Sequence, residues 1–289
     1  MPDQLQRFLL EHTCVRGELV HLDATWRAVL ERHDYPAALE SVLGELMAAA
    51  SLLSSTLKFS GSLILQIHGS GSVRLIVVEC TSEQTMRATA KWEGTLEGTF
   101  KELVGEGRFV ITIAQEDSKQ NYQGIVGLDG SCVAEVLEHY MATSEQLETR
   151  LWLASNRERS AGLMLQRMPG TQLPEDEDAW NRATQLARTI TAAELLALPK
   201  TQILRRLYHE EDVRVFEPKI MSFGCSCTRE RVANMLRMLG GAEVQSILSE
   251  REEVEVYCEF CNRRYAFDRV DAEQVFAAEH LAEPPSTRQ

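Results

Sequence analysis

Four cysteines in the C-terminal part of the chain have a spacing suited to metal chemistry. Cys225 and Cys227 form a Cys-x-Cys pair, Cys258 and Cys261 form a Cys-x-x-Cys pair, and a helical pattern lies between them. Four thiolates can close around one tetrahedral ion, and zinc is the expected ion because its closed structural sites are built from cysteine thiolates. We therefore predict that these four residues hold one Zn²⁺ per chain.

The same four thiols could also be oxidised. Zinc holds cysteines as thiolates, which is the form that oxidants attack. Cys258 and Cys261 flank a turn and can reach disulfide geometry easily. Cys225 and Cys227 are harder to join, because the Cα atoms of an extended i, i+2 pair lie near the limit of about 7 Å. Oxidation of one pair would remove two of the four ligands, so a small domain stabilised by zinc should then open.

Other interpretations of the cysteines stay open at this point. The cluster could be a structural zinc module without a redox role, an iron–sulfur site, or a set of ordinary buried cysteines. A Cys-x-x-Cys oxidoreductase would need a thioredoxin-like βαβ context, which the pattern does not contain. Cys80 and Cys132 are interpreted as structural residues, Cys14 has no partner in the sequence pattern, and His209 is interpreted as the solvated end of a helix. The chain has no Gly-x-Ser-x-Gly, phosphate-loop or His-Glu-x-x-His motif, so we predict no catalytic residue and no enzyme activity.

Composition narrows the class of protein. The 289 residues carry a net charge of −13, which argues against nucleic acid as the main partner, because phosphate binding needs clustered cations. No stretch approaches the roughly 20 apolar residues of a membrane span, and Met1–Leu10 has no apolar signal-peptide region. We expect a cytoplasmic protein without a membrane partner. In that compartment, clustered thiols indicate metal binding or redox chemistry rather than permanent disulfides.

The first 170 residues have the pattern of an α+β domain with a mostly antiparallel sheet and packed helices. Helical spacing covers residues 23–32 and 37–57, and a third helix is predicted over 131–141 with Ser131 as its N-cap. Gly69–Ser72 should connect a hairpin. The predicted strands, which we expect to share one sheet, are 62–68, 73–80, 86–92, 109–114, 122–128, 147–154 and 161–166.

Two further segments complete the chain. Residues 171–214 are predicted to be a metastable helical linker, acidic over 174–178 and amphipathic over 179–207, with a capping box at Thr191 and Glu194 and a break at Pro199. Such short helices are not stable alone in water, so they must dock on something. Residues 215–289 are predicted to be the small zinc-binding domain, with helices over 229–239, 242–250 and 271–280, a hairpin over 253–267, and a disordered tail from 282.

Several motifs resemble those of the heat shock protein 33 family. The members of that family are redox-regulated holdase chaperones of the bacterial cytosol. The two cysteine pairs carry the resemblance, and further matches cover nearly the whole chain. These segments are Phe223–Arg231, Cys258–Cys261, Arg16–Val20, Thr56–Phe59, Tyr122–Leu128, Ser144–Leu147 and Arg206–Glu211. One departure is the segment Asn262-Arg263-Arg264 after Cys261, where many relatives are expected to have a glycine; it could alter the local turn but leaves the ligands intact.

The resemblance implies a mechanism. In the family, the reduced zinc-bound protein is inactive, and oxidation forms disulfides that correspond here to Cys225–Cys227 and Cys258–Cys261. Zinc release then unfolds the sensor, destabilises the linker and exposes a surface for unfolding client proteins, and the active form is similar to a dimer. Our leading hypothesis is therefore a redox-activated holdase. The alternative is a constitutive zinc-ribbon module that binds a protein or a nucleic acid, which the acidic net charge disfavours in its nucleic-acid form.

Overall fold

The computed structural model describes residues 3–57, 60–115, 121–169 and 178–280. Contacts between Cα atoms divide the chain into a larger unit, Met1–Gly224, and a smaller unit, Cys225–Gln289. The predicted acidic segment before residue 178 and the predicted disordered tail lie outside the described residues. The boundaries at 170/171 and 214/215 stay predictions about functional segments.

The larger unit contains most of the strands. They are β1 (Gln4–Leu10), β2 (Val15–Leu22), β3 (Gly61–Gly69), β4 (Val73–Thr81), β5 (Thr85–Trp92), β6 (Gly107–Gln115), β7 (Tyr122–Gly127), β8 (Thr149–Ser155), β9 (Ser160–Arg167), β10 (Val213–Val215), β11 (Lys219–Ile220) and β12 (Ser222–Phe223). Its helices are α1 (Ala24–Leu30), α2 (Ala37–Thr56), α3 (Phe100–Val104), α4 (Val133–Thr143), α5 (Ala179–Ala187), α6 (Ala192–Ala197) and α7 (Lys200–Leu207). The α+β class and the antiparallel character are confirmed.

The strands form two sheets rather than the single sheet expected from the sequence. Sheet A has the order β10-β1-β2-β9-β8, with β11 also paired to β1, and sheet B has the order β12-β5-β4-β3-β6-β7. All pairings in the two sheets are antiparallel except that of β12 with β5. The expectation that 147–154 and 161–166 would extend the same sheet as the hairpin at Gly69–Ser72 is therefore wrong, because β9 pairs with β2 and β8 pairs with β9.

Helix α2 forms the centre of the main core, where it contacts strands of both sheets. Its buried positions run almost without interruption from Leu39 to Ser55, because apolar and small residues face neighbours on every side. Among the described residues, α2 alone is long and apolar enough to cross a membrane, and 78% of its qualifying window is buried inside the protein. Burial of this kind is typical of a core helix.

Sheet A is covered on both faces, which explains how it organises the larger unit. Along β2, Val20 and Leu22 face the main core, whereas Leu19 faces a second hydrophobic cluster. That second cluster consists of the outer face of sheet A and the apolar sides of the three linker helices α5, α6 and α7. The predicted linker helices are thus formed and docked on sheet A, with a break at Pro199 as expected.

Side-chain capping is seen at the N-termini of three of the described helices, α3, α6 and α8. Thr191 and Glu194 make the predicted capping box at the start of α6. The prediction that Ser131 caps α4 is wrong: Cys132 occupies the N-cap position, and Ser131 instead makes two hydrogen bonds, through its backbone N–H and its hydroxyl, to the carboxylate of Glu135.

The described part of the smaller unit, residues 225–280, is built from three helices and one hairpin around a small core. These elements are α8 (Arg229–Leu239), α9 (Gly241–Glu250), β13 (Glu253–Tyr257), β14 (Arg264–Asp268) and α10 (Arg269–His280). Their bounds agree with the predicted elements to within two residues. Among the side chains that the structure describes, ten are buried in this core, including Leu236, Leu248 and Phe267, and a core of this size is small for independent stability.

Candidate metal centre

The four predicted ligand cysteines converge on one point of the smaller unit. The Sγ atoms of Cys225, Cys227, Cys258 and Cys261 all lie within 4.8 Å of one another. The Sγ atoms of Cys225 and Cys258 are 3.7 Å apart, and those of Cys227 and Cys261 are 3.3 Å apart. No disulfide joins them. The structure therefore brings the two pairs together as the zinc hypothesis requires.

Local structure fixes the first pair immediately before α8. Thr228 is the N-cap of this helix, and its side chain accepts a hydrogen bond from the backbone N–H of Arg231. Cys227 therefore directly precedes the positive end of the helix dipole, which favours a thiolate over a neutral thiol. The guanidinium of Arg231 also donates to the hydroxyl of Ser226, 2.7 Å away, between the two cysteines.

The second pair lies in the turn of the β13–β14 hairpin. The strands are in antiparallel register, with Tyr257 opposite Arg264. The backbone N–H of Cys258 donates to the carbonyl of Arg263 at 3.0 Å, and the N–H of Asn262 donates to the carbonyl of Cys258 at 2.8 Å. These bonds close the turn with the sulfurs of Cys258 and Cys261 on its inner side.

Asn262, the first residue of the segment that departs from the family pattern, has a backbone conformation that favours glycine. Its φ is 55°, in the left-handed region, which allows the chain to reverse direction after Cys261. Asparagine tolerates this region better than most residues other than glycine. The departure from the family pattern therefore keeps the turn geometry and leaves the ligands in place.

The donor set fits zinc. A tetrahedral ion with Zn–S bonds of about 2.3 Å separates its sulfur ligands by about 3.8 Å. The 3.7 Å between the sulfurs of Cys225 and Cys258 matches this separation, and the 3.3 Å between those of Cys227 and Cys261 is shorter. Four thiolates are soft ligands that suit zinc better than calcium or magnesium. Because both pairs contribute to one site, a bound ion would tie the loop before α8 to the β13–β14 hairpin.

Tyr265 adds a hydrogen bond to the cluster that the sequence analysis missed. Its hydroxyl donates to the Sγ atom of Cys227 at 3.2 Å. Burial raises the pKa of the Cys227 thiol, but hydrogen bonds from Tyr265 and the neighbouring cysteines outweigh burial and lower its pKa to about 7. The alternation along β14, in which Tyr265 and Phe267 point inward, was the signal that could have placed this residue at the core.

The residues that the sequence analysis set aside all belong to the larger unit, whereas the cluster belongs to the smaller one. Cys80 is fully buried in the main core, where burial raises its pKa to about 11. Cys14 packs against the second hydrophobic cluster and Cys132 is the N-cap of α4. His209 follows α7 with its side chain 65% exposed, as a solvated helix end should be.

A second group of polar contacts in the larger unit was also missed by the sequence analysis. Arg159 pairs with Asp23 and donates to the carbonyl of Leu196 on α6, while Nε2 of His21 lies 3.0 Å from the carbonyl of Leu195. Neutral His21 donates this bond, and burial lowers its pKa to about 4. The hydrogen bonds to the carbonyls of Leu195 and Leu196 thus hold helix α6 on sheet A, together with apolar packing.

The chain is similar over nearly its whole length to a known protein family. A family model described as "Hsp33 protein" matches residues 3–268. A 33 kDa chaperonin of Chromobacterium violaceum is 53% identical over 277 residues, which cover 95% of this chain and 94% of that protein. A 33 kDa chaperonin of Methylobacillus flagellatus is 50% identical over 279 residues, covering 96% of this chain and 95% of that protein.

A solved structure has the same fold. The crystal structure of the 33 kDa chaperonin (heat shock protein 33 homolog) from Thermotoga maritima superimposes with a TM-score of 0.84. The match covers 96% of this chain and 99% of that chain, at 23% sequence identity.

Proposed function

This chain belongs to the Hsp33 family, and from that membership we propose that it is a redox-regulated holdase chaperone. In the proposal, the reduced, zinc-bound protein is inactive. Oxidation of the four clustered cysteines releases zinc, and the opened protein then binds unfolding proteins and prevents their aggregation. It acts in the cytoplasm, turns over no substrate and binds as a homodimer when oxidised.

The observation that carries the proposal is the convergence of four sulfur atoms within 4.8 Å in a unit with a ten-residue core. Bound zinc would be held by Cys225, Cys227, Cys258 and Cys261 and would keep them as thiolates. Structural zinc contributes on the order of 10–16 kcal/mol to the folding of small domains. A unit whose core is this small depends on that contribution, so its fold should be lost with the metal.

The proposed oxidation consumes one peroxide molecule for each disulfide formed. One peroxide molecule transfers an oxygen atom to a thiolate, which becomes a sulfenic acid, and hydroxide leaves. A second thiolate attacks that sulfur, forms the disulfide and displaces another hydroxide. Two peroxide molecules therefore oxidise all four thiolates. We propose the pairs Cys225–Cys227 and Cys258–Cys261 from the family resemblance, because all four sulfurs are close enough in the folded cluster to pair in other ways.

The linker helices are the proposed source of the client-binding surface. Their apolar sides are buried in the second hydrophobic cluster through residues such as Leu195, Ile203 and Leu207. Three helices of nine, six and eight residues are too short to persist in water once undocked. Undocking would expose both these side chains and the outer face of sheet A, which is the kind of apolar surface that binds unfolded chains.

The β10–β12 segment supports a connection between sensor and linker along the chain. Residues 213–223 follow helix α7 and pair with β1 and β5, and Gly224 is the last residue before Cys225. Loss of order that spreads backward from Cys225 would have to separate these short pairings before it reaches α7. Because β11 and β12 each contribute only two residues, those pairings are weak enough to separate.

One experiment tests the proposal. Zinc release and suppression of client light scattering are measured together, before and after peroxide treatment with mild heating, for the parent protein and the Cys258→Ser variant. We expect about one zinc per chain to leave the parent as protection appears. A Cys14→Ser variant serves as the control, because Cys14 lies outside the cluster, and it should behave like the parent.

The proposal would be abandoned if fully oxidised, zinc-free protein gave no protection. Salt-dependent binding of nucleic acid by the reduced protein would instead favour the constitutive zinc-ribbon module.

A further inference from the structure

The side chain of Tyr265 links the hairpin that carries Cys258 and Cys261 to Cys227 of the other cysteine pair, without the help of a metal. It follows the Cys-x-x-Cys turn by four residues and lies on β14, opposite Val256 of β13. Its hydroxyl, however, contacts the sulfur of Cys227, which belongs to the other pair. The hydrogen bond therefore joins residues 38 positions apart in the chain.

The phenol ring is held firmly, so the direction of its hydroxyl is fixed. Tyr265 is 7% exposed and is one of the ten core residues of the smaller unit. Cys227 packs against the same core. The guanidinium of Arg263 lies 5.7 Å from the centre of the phenol ring, at the distance of a cation–π contact. A ring restrained on these sides cannot easily turn its hydroxyl away from the sulfur.

A hydrogen bond to a metal-bound thiolate withdraws electron density from the sulfur. Partners of this kind orient the ligand and tune the metal site, and their removal typically costs about 10- to 100-fold in metal affinity. They also lower the reactivity of the sulfur toward electrophiles, because the lone pair engaged by the donor is less available for attack.

We propose that Tyr265 is a positioning residue that restrains Cys227, so that its O–H···S hydrogen bond tightens zinc binding and slows oxidation of this sulfur by peroxide. The inference rests on the proposed function and deepens it, because it identifies a residue that sets the oxidant threshold of the sensor. The restrained step is oxygen transfer from peroxide to the Cys227 sulfur, which yields a sulfenic acid and hydroxide.

The same contact gives the core a direct response to oxidation. A disulfide sulfur carries no negative charge and is a much weaker acceptor than a thiolate. Once Cys227 is oxidised, the part-buried Tyr265 hydroxyl loses its partner at the edge of the core, which is unfavourable. Oxidation would thus destabilise the ten-residue core through Tyr265 as well as through the loss of metal.

The test compares the parent with Tyr265→Phe, which removes the hydroxyl and keeps the ring. Tyr257→Phe is the matched control, because Tyr257 lies on the same hairpin and is 50% exposed. Three quantities are measured on the full-length protein: zinc affinity by chelator competition, zinc release rate under peroxide, and the sulfur-to-metal charge-transfer band after replacement of Zn²⁺ by Co²⁺.

For Tyr265→Phe we expect about 10- to 100-fold weaker zinc binding, several-fold faster zinc release and a charge-transfer band at longer wavelength. The band shifts because a sulfur that lacks the hydrogen bond gives up electron density more easily. Tyr257→Phe should match the parent in all three. A purely structural role of the phenol would not move the band of a correctly folded site.

A second variant keeps the test decisive if Tyr265→Phe weakens the fold. Site-specific replacement of Tyr265 by 3-fluorotyrosine keeps the hydroxyl and makes it a stronger donor, so the band should move to shorter wavelength and zinc release should slow. Parent-like bands and release rates in both variants would overturn the inference while leaving the proposed function intact. A parent that bound no zinc, or kept it under peroxide, would instead overturn the proposed function.

Discussion

Arg159 and Asp23 form an ion pair with two hydrogen bonds, in which Nε and Nη2 of the arginine lie 2.5 and 2.7 Å from the two carboxylate oxygens. The pair is partly buried, with side chains 26% and 22% exposed. The remaining guanidinium nitrogen donates to the carbonyl of Leu196, so one residue of the β8–β9 turn fixes both α1 and the end of α6. A cleft of 810 Å³, lined in part by Arg159, Arg27 and Ala193, adjoins this contact. Polar bonds therefore add to the apolar packing that docks α6 on sheet A.

Removal of this anchor should loosen α6 selectively. In Arg159→Met, the local opening free energy of α6 should fall by about 1.5–3 kcal/mol, the usual range for hydrogen bonds to a charged group. Amide hydrogen exchange in α6 should then accelerate by roughly 10- to 150-fold. Arg74→Met is the control, because the Arg74–Glu93 pair is 47% and 69% exposed and should contribute less than about 1 kcal/mol. Equal effects of the two variants would contradict the assigned role of Arg159.

The same variant should change activation. If docking of the linker helices hides the client-binding surface, reduced Arg159→Met should suppress client aggregation partially without peroxide, and the parent should not. Light scattering of an unfolding client in the presence of each reduced protein is the measurement. A variant with faster exchange in α6 but no gain in protection would place the client-binding surface elsewhere.

His21 should make the stability of the larger unit pH-dependent. It is buried, it contacts Leu195 as a neutral ring, and burial followed by the charges of Lys200 and Arg159 lowers its pKa to about 4, against the opposing influence of Asp23. As the pH falls from about 6.5 to 4, the unfolded chain takes up a proton that the folded chain does not, so stability is lost by up to about 1.4 kcal/mol per pH unit.

The measurement is the free energy of unfolding at several pH values for the parent and His21→Gln. Buried Glu18 and Glu45, whose pKa values are raised to about 7, act in the opposite direction: their stabilisation is present at low pH and is lost as the pH rises toward 7. Only the difference between variants isolates His21, and that difference should grow below about pH 6.5. His209→Gln is the exposed control and should leave the slope unchanged.

Removal of metal should unfold the smaller unit and spare the larger one. A strong chelator under reducing conditions removes the expected zinc contribution, on the order of 10–16 kcal/mol, from a ten-residue core. We expect proteolytic cleavage between residues 225 and 280 while the fragment that contains α2 stays resistant, and zinc should restore protection. If the β13–β14 hairpin of the chelated protein still resisted proteolysis, the hydrophobic core would be sufficient to keep the smaller unit folded without zinc.

Asn262 should accept glycine but not a β-branched residue. Its φ of 55° costs a β-branched side chain roughly 1–2 kcal/mol, which would appear as weaker zinc binding, because the turn carries Cys258 and Cys261. Asn262→Gly should bind zinc at least as well as the parent, and Asn262→Val should bind about 5- to 30-fold more weakly. Equal affinities of the two variants would show that the turn relaxes without strain.

The sequence by itself determined features that depend on residue type, such as the metal ligands, or on residues close together in the chain, such as helices and their caps. Four cysteines in two close pairs were enough to predict the ligand set, because few side chains bind a soft metal. Helices such as α8 and the box of Thr191 and Glu194 followed from spacing and capping within a single turn. The resemblance to a known family rested on short motifs, and comparison with related proteins confirmed that family.

Tertiary structure alone decided the contacts between residues distant in sequence. Strand β2 carries Arg16, Gly17, Glu18 and His21 and is buried on both faces, so it shows no alternation to reveal it. The choice of two sheets over one depends on which strands pair, and a strand's own residues do not specify its partner. The bonds from Tyr265 to Cys227 and from Arg159 to Asp23 span 38 and 136 residues, and only the packed chain brings such side chains within hydrogen-bond distance.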